Sequence, residues 1–377
     1  MEIVTIGLFI ILGIYAIFII RLVLGFDKVK TFESPKLTPK TAFSIIIPFR
    51  NEEKNLPNLL KSIANLNYPH QLIEIIMVDD FSTDKSERIC IQWRINNDDI
   101  DTTLLENLRL SHSPKKDAIA RAMPIAKHDW IVTTDADCTV NKNWLLTLDN
   151  YIQQNNPEMI VGAVAYKTKN NWFHRFQQLD LLSLQGTTIG SFGIGKPFMC
   201  NGANFAYTKK LFLALDGFNG NNKIAGGDDV FLLQKAVQNQ ANKVHYLKNT
   251  ASIVKTKSEN DLFQFFMQRV RWAGKTTSYQ NGYAKFLAVI VLLMNLSLVI
   301  GFGLWLVNCF NLKLLLAAFL IKYVVDYLLL YKTNNYLLKG KFLFPLASSL
   351  LYPFYSSLVG IYSLFGSFTW KGRTFKK

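Results

Sequence analysis

Residues 43–80 read FSIIIPFRNEEKNLPNLLKSIANLNYPHQLIEIIMVDD, and the alternation inside this stretch decides the fold. FSIIIP is a short apolar run rich in β-branched residues, which predicts a buried strand. EEKNLPNLLKSIANL then carries its apolar residues at helical spacing, and IEIIMVDD returns to strand character. The pattern continues downstream. DKSERICIQWRI predicts a second helix, NLRLSH a third strand, KKDAIARAMPIA a helix with an internal Pro124, and WIVTTDAD a fourth strand. Strands alternating with helices predict an α/β domain whose parallel sheet is covered on both faces. Such sheets bind ligands beyond the carboxyl ends of their strands. Asn51 and Glu52, Asp79 and Asp80, and Asp135 and Asp137 fall at three of those ends. Farther on, MIVGAVAY predicts a strand, and Trp172–Gly195 a helix mixed with a Gly-rich loop. CNGANFAYT reads as a loop entering a strand, and GGDDVFLLQKAVQN as a helix with acids in its first turn.

Half of the 377 residues are hydrophobic, and the mean hydropathy is +0.14. The apolar residues gather in Ile3–Phe26 and in three late stretches, Phe286–Phe310, Leu312–Tyr331 and Phe342–Phe368. At about 1.5 Å per residue, each is long enough for a bilayer core. The first lacks a basic start and a small-residue cleavage site, so a retained anchor is expected. Arg21, Lys28, Lys30, Lys36 and Lys40 cluster at its end, which puts the following domain on the cytoplasmic side of the cytoplasmic membrane. The last stretch carries Pro345 and Pro353 and precedes the basic tail Lys371–Lys377, leaving spanning and re-entrant arrangements both open. Lys322 and Asp326, four apart in an apolar helix, are expected to pair. The division that follows is an anchor over 1–26, a basic tether over 27–41, a catalytic α/β domain over 42–258, and an interfacial helix region over 259–284. Two or three membrane helices then occupy 285–368, with a basic tail over 369–377. A net charge of +15 suits anionic lipid headgroups or an anionic substrate, and no basic-aromatic motif points to nucleic acid. Cys90, Cys138, Cys200 and Cys309 have no metal-ligand spacing and are expected as free thiols.

Several acidic pairs invite a chemical reading. If strand geometry continued through Asp135 and Asp137, both would share a face, which requires either a cation between them or splaying into water. Asp79 and Asp80 suit a turn, with Asp84 capping the next helix, or recognition of ligand N–H and O–H groups. Asp228 and Asp229 suit a helix N-terminus, and Gly226 and Gly227 before them allow close backbone approach. DLFQFFMQRVRWAGKT reads as an amphipathic helix on a membrane surface.

Taken together, IIIPFRNEEKNL, VDDFSTD, TDADC, GGDDVFL and QRVRW resemble, in order and spacing, the inverting family-2 glycosyltransferases of GT-A fold. The resemblance covers about Phe43–Thr276, and QRVRW fits the Q-x-x-R-W signature of the membrane-associated branch. It implies a glycosyltransferase that uses a nucleotide-sugar, UDP-linked by preference, with Mg²⁺ or Mn²⁺. The acceptor would be a hydroxyl on a lipid-linked or glycan molecule. By matching position, it implies Asp137 and Asp135 as metal ligands, with Asp135 also near the ribose. Pro48, Asn51, Glu52, Asp79, Asp80 and Lys115 would line the nucleotide pocket. Asp229 is implied as the catalytic base beside Asp228, which stands where the family usually has Glu. Gln268, Arg271 and Trp272 would serve the diphosphate and the acceptor, and Asn201, Gly202 and Asn204 the acceptor side. A processive polysaccharide synthase shares every motif and stays open as the alternative, as does an oligomer; a non-enzymatic membrane scaffold is the bland third reading.

Overall fold

The computed structural model describes residues 2–167, 171–221, 224, 226–340, 346–371 and 373–375. It separates into two compact units. Lys30–Lys167 with Pro197–Lys257 form an α/β unit, and Met1–Val29, Thr168–Lys196 and Ser258–Lys377 form a helical unit.

The α/β unit holds strands β1 (Phe43–Phe49), β2 (Ile73–Asp79), β3 (Asp101–Glu106), β4 (Trp130–Thr133) and β5 (Met159–Gly162). β6 (Val164–Tyr166), β7 (Phe205–Thr208), β8 (Val244–Leu247) and β9 (Val254–Thr256) complete the set. Seven of them form one sheet in the order β3-β2-β1-β4-β7-β5-β8. β7 runs antiparallel to both neighbours, while the remaining adjacent pairs are parallel. β6 and β9 pair separately as a parallel ribbon. The helix Leu56–Ala64 buries Leu56, Leu59, Leu60 and Ile63, the i, i+3, i+4, i+7 stripe that its sequence displays. That stripe shares one core with Phe43, Ile45 and Ile47 of β1. The predicted tether is docked rather than loose: Phe32 N donates to Lys248 O at 2.9 Å, and Thr41 N to Asp149 Oδ1 at 3.0 Å.

Five expectations change. The helix expected to contain Pro124 is Pro114–Ala122 and ends before that ring, which cannot continue the hydrogen-bond ladder. The third strand is Asp101–Glu106, one segment earlier than NLRLSH, and it is an edge strand whose side chains stay partly exposed. A strand buried on neither face carries little apolar signal. MIVGAVAY divides between two sheets, because β5 ends at Gly162 and β6 begins at Val164. β4 stops at Thr133, short of the acidic pair. The Gly-rich part of Trp172–Gly195 is no loop; Trp172–Gly193 is one continuous helix.

That helix belongs to the helical unit, with Glu2–Lys28, Leu262–Ala273, Gly282–Leu306, Leu312–Leu338 and Leu346–Phe365. Its glycines serve packing. A Cβ at Gly193 would lie 1.8 Å from Gly25 O, and one at Gly190 2.4 Å from Leu22 O, so the two backbones touch as small-residue seams permit. Among the described residues three helices are long and apolar enough to cross a membrane: Glu2–Lys28, Gly282–Leu306 and Leu312–Leu338. Leu346–Phe365 has Pro353 inside it and is not among them. The first residues of the predicted last segment, 342–345 with Pro345, and tail residues 372, 376 and 377 lie outside the described residues. Lys322 Nζ meets Asp326 Oδ2 at 2.6 Å, as its spacing requires, and Tyr15 OH donates to Asp326 Oδ1 at 2.5 Å. All four cysteines are unbridged.

Candidate active site

Three other parts of the α/β unit converge on Lys115, in the first turn of the helix Pro114–Ala122. Its Nζ lies 2.5 Å from Asp135 Oδ1 and 3.4 Å from Asp228 Oδ2. Burial works against the ammonium charge, yet the carboxylates of Asp135, Asp228 and Asp229 outweigh it and hold the lysine pKa well above its ordinary value. Asp228 and Asp229 open the helix Asp228–Gln240. Gly226 and Gly227 before them have φ of 79° and 73°, the left-handed region that glycine enters without cost. Asp229 Oδ2 accepts from Gly202 N at 2.8 Å, and Oδ1 from Val230 N at 2.8 Å. A carboxylate has about four lone-pair sites, so both oxygens can still accept a proton. Gly202 lies directly beneath this cluster: a Cβ there would stand 3.0 Å from Asp228 Oδ2 and 3.1 Å from Lys115 Nζ.

Asp135 and Asp137 are not strand neighbours. Cys138 N donates to Asp135 O at 3.0 Å and closes a turn that sends the two carboxylates to different partners. Asp135 faces Lys115, whereas Asp137 Oδ2 accepts from Thr256 Oγ1 of β9 at 3.2 Å. Burial, with Asp137 and Asp135 close by, raises the Cys138 thiol pKa well above its usual value, so this cysteine stays protonated. The donor set fits a divalent cation. The oxygens are hard carboxylates, and an ammonium between Asp135 and Asp228 shows that these groups converge on positive charge. Among the described residues no cluster of three metal-ligating side chains occurs. Mg²⁺ or Mn²⁺ takes one or two carboxylates and completes its shell with phosphates and water.

At the ends of β1 and β2 a second set assembles. Asn51 Oδ1 accepts from Thr83 N at 2.8 Å, and Glu52 N donates to Ser86 Oγ at 2.7 Å. Asp84 Oδ1 accepts from Ser86 N at 3.0 Å and Oδ2 from Glu53 N at 3.0 Å, so it opens its helix and clips the two loops together. Pro48 sits half-buried in β1 opposite Val78. Asp79 Oδ1 accepts from Ser82 N at 3.0 Å and Ser82 Oγ at 2.5 Å. Burial raises the Asp79 pKa despite those bonds, with Glu87 and Asp80 adding to the rise. Asp80 is held by Arg109 Nε at 2.6 Å, Arg109 Nη2 at 3.2 Å and Asn107 Nδ2 at 2.8 Å. It therefore braces the segment after β3 more than it offers lone pairs to a ligand. Asn107, Arg109 and Thr256 belong to this region and were not singled out from the sequence. NLRLSH alternates like a strand, which hid its role as a loop returning two polar side chains to Asp80.

Asn201 Oδ1 accepts from Ala203 N at 3.0 Å and starts the turn that carries Gly202. Asn204 is a core residue instead: its Nδ2 donates to Ala163 O and Ser252 O, each at 2.8 Å, and its Oδ1 accepts from Trp144 Nε1 at 3.0 Å.

QRVRW lies on the helix Leu262–Ala273 of the helical unit. Gln268 Nε2 donates to Glu259 Oε1 at 2.6 Å, while its Oε1 accepts from Arg269 Nη1. The Gln268 amide is thus engaged at both ends. Arg269, an intervening residue of the motif, pairs with buried Asp180 and lies 4.2 Å from the Trp272 ring centroid and 4.5 Å from that of Phe265. Arg271 and Trp272 are half-buried.

Two family models match the chain: glycosyl transferase family 2 over residues 44–215, and glycosyl transferase family group 2 over residues 130–361, more than half its length. Glycosyltransferase GlyG of Streptococcus pneumoniae is 30% identical over 123 residues, 32% of this chain and 38% of that protein. The β-monoglucosyldiacylglycerol synthase of Nostoc sp. is 25% identical over 202 residues, 51% of this chain and 41% of that protein. The chain thus matches less than half the length of these relatives. Mannosyltransferase PcManGT from Pyrobaculum calidifontis, in complex with GDP-Man and Mn²⁺, shares the fold. Its TM-score is 0.65 at 17% identity, covering 96% of this chain and 98% of that one.

Proposed function

The chain belongs to glycosyl transferase family 2, and from that premise we propose that it moves a sugar, with inversion, from a nucleotide-sugar to a hydroxyl of a membrane-borne acceptor. The observation that carries this reading is the Lys115 cluster, which joins the strand-end carboxylate Asp135 to Asp228, beside Asp229. Donor and acceptor chemistry need these two acidic sets in one place. Asp229 accepts the proton of the acceptor hydroxyl as its oxygen attacks the anomeric carbon, and the bond to the nucleoside diphosphate breaks on the opposite face. Gly202 N–H and Val230 N–H orient that carboxylate. Asp228 and Asp135 fix Lys115, whose charge lies where a phosphate would be neutralised. Asp137 and Asp135 would hold Mg²⁺ or Mn²⁺, which supplies Lewis-acid stabilisation to the leaving diphosphate. Asp79 accepts from a nucleobase or ribose donor, with Pro48, Asn51 and Glu52 shaping the pocket. Arg271 and Trp272 serve the diphosphate and the acceptor. UDP is the preferred nucleotide; the solved relative with GDP-Man makes GDP the first competitor.

A lipid-linked or glycan acceptor is supported by the three candidate spans and by a relative named for a glucosyldiacylglycerol. The basic residues after the first span support a cytoplasmic α/β unit. One transfer per acceptor is preferred to polymerisation, since the three candidate spans among the described residues are few for a polysaccharide pore.

The test is nucleotide release by the full-length chain in detergent, across UDP- and GDP-sugars, with Mn²⁺, Mg²⁺ or EDTA. Metal-dependent release with one donor class, abolished by Asp137→Ala, is expected. Release that survives EDTA and Asp137→Ala would refute the assignment.

A further inference from the structure

The ribbon β6–β9 carries three lysines that the site described above leaves unused. Ala165 pairs with Lys255 and Tyr166 with Thr256, and Lys167 N donates to Thr256 O at 2.9 Å. The register therefore continues to set Lys167 beside Lys257. Residues two apart on a strand share a face, so Lys255, Lys257 and Lys167 lie on one side of the ribbon, opposite Thr256. Like charges at adjacent register positions repel each other. Among the described residues, none of the three has a carboxylate within ion-pair distance.

Lysines commonly end in solvent, as exposed Lys255 does, but Lys167 and Lys257 are half-buried. Lys257 Nζ bonds Asn55 Oδ1, and Asn55 Nδ2 donates to Glu52 Oε2 at 2.5 Å, so Lys257 stands on the loop after β1. On the other face of the ribbon, Thr256 Oγ1 reaches Asp137 at 3.2 Å. The ribbon end thus lies on the same rim of the sheet as the acidic pair. Lys167 is half-buried, and burial together with Lys257 and Lys255 lowers its pKa below that of an ordinary lysine, although Cys138 and Asp137 act the other way. An unpaired, partly desolvated group of cations is stabilised by a multivalent anion.

We propose that Lys167, Lys255 and Lys257 bind a phosphate group carried by the acceptor. This rests on the transferase reading above. The acceptor is favoured over the donor because the charges of the donor already have partners. The donor diphosphate already has Lys115, and Asp135 and Asp137 would supply it with a divalent cation. Lys167 and Lys257 are also the last residues of the α/β unit at the two places where the chain passes into the helical unit, which holds the candidate spans. A membrane-borne phosphate is the fitting ligand.

The test uses the full chain in dodecyl maltoside and two titrations: UDP or GDP with Mn²⁺, and dodecyl phosphate. Lys167→Gln with Lys257→Gln is expected to weaken dodecyl phosphate about ten-fold while moving nucleotide affinity by less than about two-fold. Lys167→Arg with Lys257→Arg should restore binding. Inorganic phosphate as competitor separates the sources. Displacement means that the phosphate alone is read, and no displacement means that the lipid-borne form is required. Unchanged dodecyl phosphate affinity in the glutamine variant overturns the proposal, and so does an equal loss of nucleotide affinity. If the wild type binds neither UDP nor GDP, the transferase reading fails, and the dodecyl phosphate arm still reports on the lysines alone.

Discussion

Asp79 ends β2 and Asp135 lies in the turn after β4, and the different company they meet sets what each can do. Asp135 is tied to a cation, whereas Asp79 is desolvated and carries a raised pKa. Only ionised Asp79 accepts hydrogen bonds at both oxygens, so nucleotide affinity should fall as pH drops through that raised pKa, earlier than an ordinary aspartate would allow. Asp79→Asn should flatten this acidic limb of a binding–pH profile; an unchanged limb would take Asp79 out of the pocket. The linkage has a second sign. A carboxyl whose folded pKa lies above its unfolded value contributes stability at low pH that is lost as pH rises through it. Asp79→Asn should therefore raise Tm at neutral pH while weakening nucleotide. Gly202 offers a steric test. The Cβ of Gly202→Ala would crowd Asp228 and Lys115, and displacement by a few tenths of an ångström should lower turnover about ten-fold with the fold retained. Unaltered turnover would show that the cluster tolerates movement. The acidic residues were legible because carboxylates at several strand ends are a local signal. Arg109 and Thr256 were not, since their importance lies in reaching Asp80 and Asp137 from segments distant in sequence.

At the scale of elements, β1, β2 and the helix between them could be read directly, because strands buried on both faces and an amphipathic helix have distinct periodicities. β3 could not, since an edge strand with threonines and terminal acids has neither. The glycines of Trp172–Gly193 misled for a physical reason: they are small for the sake of helix contact, not for flexibility. Asp180 on this helix and Arg269 on Leu262–Ala273 form a buried ion pair, to which Tyr352 OH donates at 3.1 Å. Removing one partner leaves a buried unpaired charge, at a cost of about 3–5 kcal/mol. Asp180→Leu alone should thus lower the detergent-solubilised Tm strongly, and adding Arg269→Met should recover most of the loss. A double variant no better than the single would show that the pair is not the source of the effect. Because Arg269 also holds Gln268 and lies over Trp272, the pair fixes two residues of the family signature.

For the whole molecule, composition foretold one substantial globular domain anchored to a membrane, and the α/β unit with three candidate spans among the described residues agrees. The interleaving of the units was not foreseen: Thr168–Lys196 belongs with the helical unit although it interrupts the α/β sequence. Hydropathy conceals this, since Gln177, Gln178, Asp180 and Gln185 are buried polar residues of that helix. What the α/β unit achieves is convergence, bringing residues 115, 135, 202, 228 and 229 to one cluster. The most direct test of that account compares Asp229→Asn with the wild type in two assays on the same preparation, nucleotide binding and sugar transfer. The account predicts nucleotide affinity close to wild type and transfer reduced by about 10²–10⁴-fold. Transfer at the wild-type rate in a folded, nucleotide-binding Asp229→Asn protein would contradict it.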